Sequence, residues 1–139
     1  MRTLSFIIML LLTAESFAQT VSGYIIVDQF GYLPEAQKIA VIKDPQVGFD
    51  ENESFTPGQT YIVVNAINGV HALSGKPVSW KSGVTDGSSG DKAWHFDFSP
   101  VTEIGRYYIL DVDNKARSFE FEIAPNVYNE VLKQAMRMF

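Results

Sequence analysis

The sequence predicts an all-β fold, an immunoglobulin-like antiparallel sandwich of about seven strands followed by one C-terminal helix. Three observations predict it. Apolar and polar residues alternate in short segments along most of the chain, the period of a half-buried strand. Gly, Pro, Asn and Asp punctuate those segments at the spacing of a sandwich. No strand–helix–strand alternation appears, which argues against a parallel α/β sheet.

The elements follow in order. Gly23–Gln29 (GYIIVDQ) is a first strand, broken by Phe30-Gly31-Tyr32-Leu33-Pro34. Lys38–Lys43 (KIAVIK) is a second, and residues 44–58 form a long acidic connection. Thr60–Ile67 is a third, closed by Asn68-Gly69, a turn pair. Pro77–Lys81 is a short fourth, and Asp86–Asp91 (DGSSGD) is a loop. Lys92–Phe98 is a fifth, with Trp94, Phe96 and Phe98 on one face. Arg106–Val112 is a sixth, joined by a hairpin at Asp113-Asn114 to a seventh, Arg117–Ile123. Strict alternation turns Phe119, Phe121 and Ile123 inward and Ser118, Glu120 and Glu122 outward. The core is expected to rest on Trp80, Trp94, Phe96, Phe98, Phe119 and Phe121, because 0 Cys rules out a disulfide.

The period changes at the C-terminus. Asn126 is placed to cap a helix. Tyr128, Val131, Leu132, Ala135, Met136 and Phe139 then form one apolar stripe. A helix needs that face buried, so a second domain is expected to follow Phe139. At the other end Met1–Ala18 reads as a secretory signal. Arg2 is its basic start, Leu4–Leu12 its apolar run, and Ser16 and Ala18 its small residues before cleavage at Gln19. The run is about half the ~20 apolar residues needed to span a bilayer. The expected layout is a signal at 1–18, a sandwich at 19–124 and the start of another domain at 125–139. The protein is expected to be exported, with no membrane association once the signal is cleaved.

Charge and residue supply narrow the function. Lys+Arg is 11 against Asp+Glu 16, a net charge of −5. Nucleic-acid binding needs basic surface and is excluded. With 0 Cys and 2 His the chain has no supply for a thiolate or multi-His metal site, and no cofactor is expected. Two carboxylate pairs, Glu120/Glu122 and Asp111/Asp113, lie on a solvated face and at a turn, not in two contrasting environments across a cleft. Asp86, Ser88 and Asp91, and Asp111, Asp113 and Asn114, cluster oxygens without a calcium-loop pattern. His71 and His95 have no nucleophile elbow beside them, and Gly87–Gly90 precedes no helix, so it is no phosphate loop. Asn52-Glu53-Ser54 is a formal glycosylation sequon. Tyr24, Tyr32, Tyr107, Tyr108 and the two Trp would stack on sugars only if exposed. No catalytic residue and no metal ligand is assigned.

Several of these segments share a resemblance. Ile26-Val27-Asp28-Gln29-Phe30-Gly31-Tyr32-Leu33-Pro34, followed by Lys38-Ile39-Ala40-Val41, resembles the opening of the immunoglobulin-like N-terminal domain of family 9 glycoside hydrolases, the cellulases. That opening reads N-Q-x-G-Y-x-P with a following K-x-A; Asp28 stands where Asn is usual. Asp97-Phe98-Ser99 with Gly105-Arg106-Tyr107-Tyr108 is similar to the family's D-F-S…G-x-Y stretch, and Ser118–Ile123 to its S-x-x-F-x-I last strand. Tyr128–Phe139 resembles the first helix of the family's catalytic domain.

The resemblance implies a structural module packed on an (α/α) barrel in the same chain. It implies β-1,4-glucan hydrolysis by inversion in an intact relative, with the glucan reached only through that barrel. The family's catalytic aspartates and acid Glu have no matching position here. Tyr32, Tyr128, Val131, Leu132, Met136 and Phe139 are expected to meet the barrel. A stand-alone secreted carbohydrate-binding or adhesion sandwich is the alternative.

Overall fold

The computed structural model describes residues 19–138. The expected signal at 1–18 and the side chain of Phe139 lie outside them. Among the described residues ten strands and one α-helix are formed: β1 (Thr20–Val21), β2 (Ile25–Ile26), β3 (Ile39–Pro45), β4 (Tyr61–Asn65), β5 (His71–Gly75), β6 (Val78–Ser79), β7 (Asp91–Asp97), β8 (Gly105–Asp111), β9 (Ala116–Arg117), β10 (Phe121–Ile123) and α1 (Asn129–Met136). They make two sheets. One has six strands, in the order β1-β9-β8-β4-β5 with β10 also paired to β8. The other has four, β2-β3-β7-β6. The all-β sandwich is the observed fold.

The facing sides of the sheets make one core. Ala40 and Ile42 of β3 and Phe96 of β7, with Phe98 just beyond it, meet Tyr61 and Val63 of β4, Tyr107 and Ile109 of β8, and Phe121 and Ile123 of β10. Alternation places these residues, as the sequence predicts for Phe96 and Phe98. Fully burying one such side chain is worth roughly 1.5–3 kcal/mol, so this cluster, not any surface pair, holds the sheets together.

The strand expected at 117–123 is broken. Leu110 pairs with Arg117, but Tyr107 pairs with Phe121. Between those pairs Tyr108 and Ile109 face Ser118, Phe119 and Glu120, a β-bulge with one extra residue. The extra residue flips the alternation. Ser118 therefore turns in and is 0% exposed, while Phe119 turns out and is 66% exposed. Both inward and outward assignments for those two residues are corrected. Ser118 also mends the ladder: the Ile109 amide donates to its hydroxyl oxygen (2.9 Å), and that hydroxyl donates to the Phe119 carbonyl (2.7 Å).

The sequence reading changes at four further places. The expected first strand, Gly23–Gln29, is reduced to β2, which pairs with β3, and an unpredicted strand before it, β1, pairs in parallel with β9 in the other sheet. β5 lies in a stretch to which the sequence assigns no element; HALSG has little strand propensity, and its pairing with β4 across the Asn68-Gly69 turn makes it a strand. The fourth strand ends at Ser79, and Trp80–Gly83 is a 3₁₀ turn. Trp80 is thus half-buried outside the core, and Tyr32, Tyr61 and Tyr107 supply the bulk expected of it and of Phe119. Finally, α1 starts at Asn129, with Tyr128 at its N-cap position and no side-chain cap. Asn126 contributes a backbone carbonyl to the Asn129 amide (3.0 Å), not a cap.

Candidate functional site

The motif residues converge on one end of the sandwich. Asp28 opens the loop: its carboxylate accepts the Phe30 amide (2.8 Å) and its carbonyl accepts the Gly31 amide (3.2 Å). Gly31 sits at φ +96°, and a Cβ there would strike the Glu122 carbonyl. Only glycine lets the loop lie against the end of β10. Tyr32 then extends the sheet. Its amide donates to the Glu122 carbonyl (2.8 Å), and its carbonyl accepts the Ala124 amide (3.1 Å).

The Tyr32 ring is 8% exposed and stands edge-on to Phe98 (5.0 Å) and Phe121 (5.4 Å). Such edge-to-face pairs favour a fixed ring orientation. Its hydroxyl accepts the Asp28 amide (2.8 Å). Burial pushes this phenol above its ordinary value, so it stays protonated. Its ring is part of this chain's core.

Lys38 closes the loop from below. It is 0% exposed, and its ammonium donates to the carbonyls of Pro34 (2.5 Å) and Ala36 (2.9 Å). A buried lysine is costly unless its donors are satisfied, and here the turn's own carbonyls satisfy them. Burial pulls its amine below the ordinary lysine value, against the charges of Glu35 and Asp97. The Lys38 amide donates to Ser99 Oγ (2.9 Å), and Asp97 accepts the Ser99 amide (2.9 Å). Hydrogen bonds from the Ser99 side chain, then from its amide, hold the Asp97 carboxyl below its ordinary value. The D-F-S stretch is thus the anchor for the lysine turn. In the G-R-Y stretch, the Tyr107 hydroxyl donates to the Glu103 carbonyl (3.1 Å), and a Cβ on Gly105 would crowd the Tyr107 ring.

The loop also holds the helix. The Tyr128 hydroxyl donates to the Gly31 carbonyl (3.1 Å). Beyond that contact α1 buries no residue: Leu132 and Met136 are 58% and 68% exposed, and Val131 is half-buried. The stripe faces out from the end that carries the motif loop.

The acidic candidates are placed elsewhere. Asp111 is 0% exposed and its oxygens accept the Gly58 amide (2.8 Å), the Tyr61 hydroxyl (2.7 Å) and the Asn114 side-chain amide (2.8 Å). Asp113 accepts the Gln59 and Thr60 amides (2.6 and 3.1 Å). The pair pins the 56–60 loop to the hairpin. Burial, then the bond to Asp111, drives the Tyr61 phenol far above its ordinary value. Glu120 lies between Arg106 and Arg117, 3.8 Å from each, and Glu122 is exposed. Asp86 accepts the Ser88 and Ser89 amides and the Lys81 ammonium, which keeps its carboxyl below the ordinary value. His71 is exposed, and His95 stands 6.2 Å from Trp80, ring to ring. Among the described residues no group of three or more His, Cys, Asp or Glu is arranged to hold a metal ion.

The model of the cellulase N-terminal Ig-like domain matches residues 20–117. The chain belongs to that family. Its solved relatives include a metagenome-derived glycoside hydrolase family 9 endoglucanase, 34% identical over 78% of this chain and 19% of that one, with a TM-score of 0.58. The family 9 endoglucanase J30 is 30% identical over 76% of this chain and 17% of that one, with a TM-score of 0.59. A Bacteroides ovatus GH9 protein, 24% identical over 83% of this chain and 18% of that one, shares the fold at a TM-score of 0.64. No curated protein matches. This cellulase-type Ig-like chain therefore spans less than a fifth of the length of these solved relatives. The Q-x-G-Y-x-P and K-x-A pieces, read as a resemblance from sequence, are the clamp of Gly31, Tyr32 and Lys38. What sequence reasoning missed is Lys38 as a buried donor: alternation along KIAVIK says nothing of a lysine folding back on its own turn.

Proposed function

We propose that this chain is the N-terminal structural module of an exported cellulase-like glycoside hydrolase. Its Ig-like sandwich spans 19–124, and residues 125–139 begin the (α/α) barrel that hydrolyses β-1,4-glucan in the intact protein. The observation that carries the reading is α1. It is amphipathic, it is tied to the motif loop by Tyr128, and Leu132 and Met136 of its apolar stripe are exposed. Family membership and the endoglucanase relatives support the same reading. The module's task is to present the Gly31–Lys38 clamp and α1 as a rigid seat for the barrel. Export rests on the sequence of residues 1–18.

Hydrogen exchange tests the proposal. In this chain alone, amides 129–136 should exchange fast, and in a chain that continues into the barrel they should exchange slowly. Protection of α1 in the chain alone, equal to that of Phe121–Ile123, would overturn it. The chain alone should not hydrolyse carboxymethylcellulose, and the N-terminus of the exported product should be Gln19.

A further inference from the structure

Asn68 and Gly69 lie exposed at the tip of the β4–β5 hairpin. Neither residue belongs to the clamp or to α1. Asn68 is the only asparagine of the chain that glycine follows. That pair has a chemistry of its own. The backbone nitrogen of the following residue can attack an asparagine side-chain amide. A Cβ on that residue hinders the approach, and glycine has none.

The hairpin treats the two reacting groups differently. The Asn68 side-chain oxygen accepts the Val70 amide (2.9 Å). A side chain bonded two residues ahead folds back over the peptide between, so this bond draws Cγ towards the Gly69 nitrogen. The same bond stabilises the oxyanion that attack would create. The nucleophile, by contrast, is locked. Gly69, at φ +71°, donates its N–H to the Asn65 carbonyl (2.8 Å). Its nitrogen attacks only once that proton has left to solvent.

The turn braces this lock. The Asn65 side-chain oxygen accepts the Ile67 and Asn68 amides (2.9 and 3.2 Å), and the Asn65 amide donates to the Val70 carbonyl (2.9 Å). Freeing the Gly69 proton therefore opens more than one hydrogen bond. Each of ordinary strength is worth roughly two- to tenfold in an equilibrium.

We propose that Asn68 is the chain's site of spontaneous deamidation and that the Asn65 turn gates it. The Gly69 nitrogen loses its proton to solvent base and bonds to Asn68 Cγ. The Cγ–Nδ2 bond breaks, and ammonia leaves with a proton taken from water. Water then opens the cyclic imide. Attack at Cγ leaves aspartate. Attack at the main-chain carbonyl leaves isoaspartate, whose backbone runs through the side chain and is one methylene longer. Either product adds a negative charge to a chain at −5. The longer one disturbs the turn that sets the register of β5, an edge strand paired to β4 alone among the described residues.

The test is incubation of the full chain at mildly alkaline pH, native and in guanidinium chloride, followed by peptide mass mapping. The mass gain of amide-to-acid exchange should appear first at Asn68 in both, and at least about tenfold more slowly in the native chain. Asn65→Ala removes the bracing oxygen. It should speed the native reaction by at least about threefold and leave the rate in denaturant unchanged. Asn65→Asp keeps an acceptor and should stay near wild type. Hydrogen exchange at the Gly69 amide reads the gate without any variant: its slowing should match that of deamidation, because both need the same proton freed. First modification at another asparagine would overturn the site. Equal native and denatured rates, an unprotected Gly69 amide, or a folded Asn65→Ala variant reacting like wild type would overturn the gate.

Discussion

Replacing Asp111 with alanine is expected to destabilise the fold by about 3–5 kcal/mol, the cost of orphaning two buried donors at about 1–3 kcal/mol each. The figure is built from its partners. The carboxylate is 0% exposed and accepts the Gly58 amide, the Tyr61 hydroxyl and both nitrogens of Asn114. Alanine accepts none of these. The Tyr61 hydroxyl and Gly58 amide are the buried donors, and each one orphaned costs about 1–3 kcal/mol. Gly58 cannot close the gap, because it already lies against the carboxylate. The whole stability of a domain is about 5–15 kcal/mol, so the variant should unfold at markedly lower urea. At roughly 4–8 °C per kcal/mol, its melting temperature should fall by at least about 12 °C. A double-mutant cycle separates the partners. If the Tyr61 hydroxyl is a principal orphan, Asp111→Ala should cost about 1–2 kcal/mol less in a Tyr61→Phe background. A loss under about 1 kcal/mol in the single variant, typical of a surface change, would show that Asp111 is not the clamp that the hydrogen bonds describe.

Three other outcomes are expected. Phe121→Ala should cost about 3–5 kcal/mol by opening the core, whereas Phe119→Ala, two residues away on the bulge, should stay within about 0.5 kcal/mol; equal losses in chemical denaturation would contradict the register. Gly31→Ala should destabilise by at least about 1–3 kcal/mol, since it adds a Cβ at positive φ against the Glu122 carbonyl; a thermal melt like wild type would refute the close approach. Asp97 has a folded pKa below its ordinary 3.8, so its contribution is present above 3.8 and is lost as pH falls through the lower folded value. Wild type and Asp97→Asn should therefore converge in melting temperature in strong acid and separate above pH 4, with wild type the more stable; a gap that does not vary with pH would contradict the assigned bonds.

Much of the candidate site was legible as spelling but not as mechanism. Gly31, Tyr32, Pro34 and Lys38 stand out as a motif, yet their spacing does not say that one lysine returns to the carbonyls of Pro34 and Ala36. Those contacts are made by backbone groups of a turn, and a turn's carbonyls point nowhere until the chain is folded. The acidic pair Asp111/Asp113 is likewise visible, but its partners Gly58, Gln59 and Thr60 come from more than fifty residues away.

The sequence by itself determined the sandwich, the inward face of β7 and the apolar stripe of α1, because alternation and helical period are local properties of the chain. Only the tertiary structure decided which residue interrupts a period. One extra residue at Phe119-Glu120 reverses Ser118 and Phe119, and a crossing at Gly23-Tyr24 sends the unpredicted β1 to one sheet and what is left of the expected first strand, β2, to the other. Bulges and crossings satisfy hydrogen bonds between distant segments, and no local pattern records where those distant partners run out.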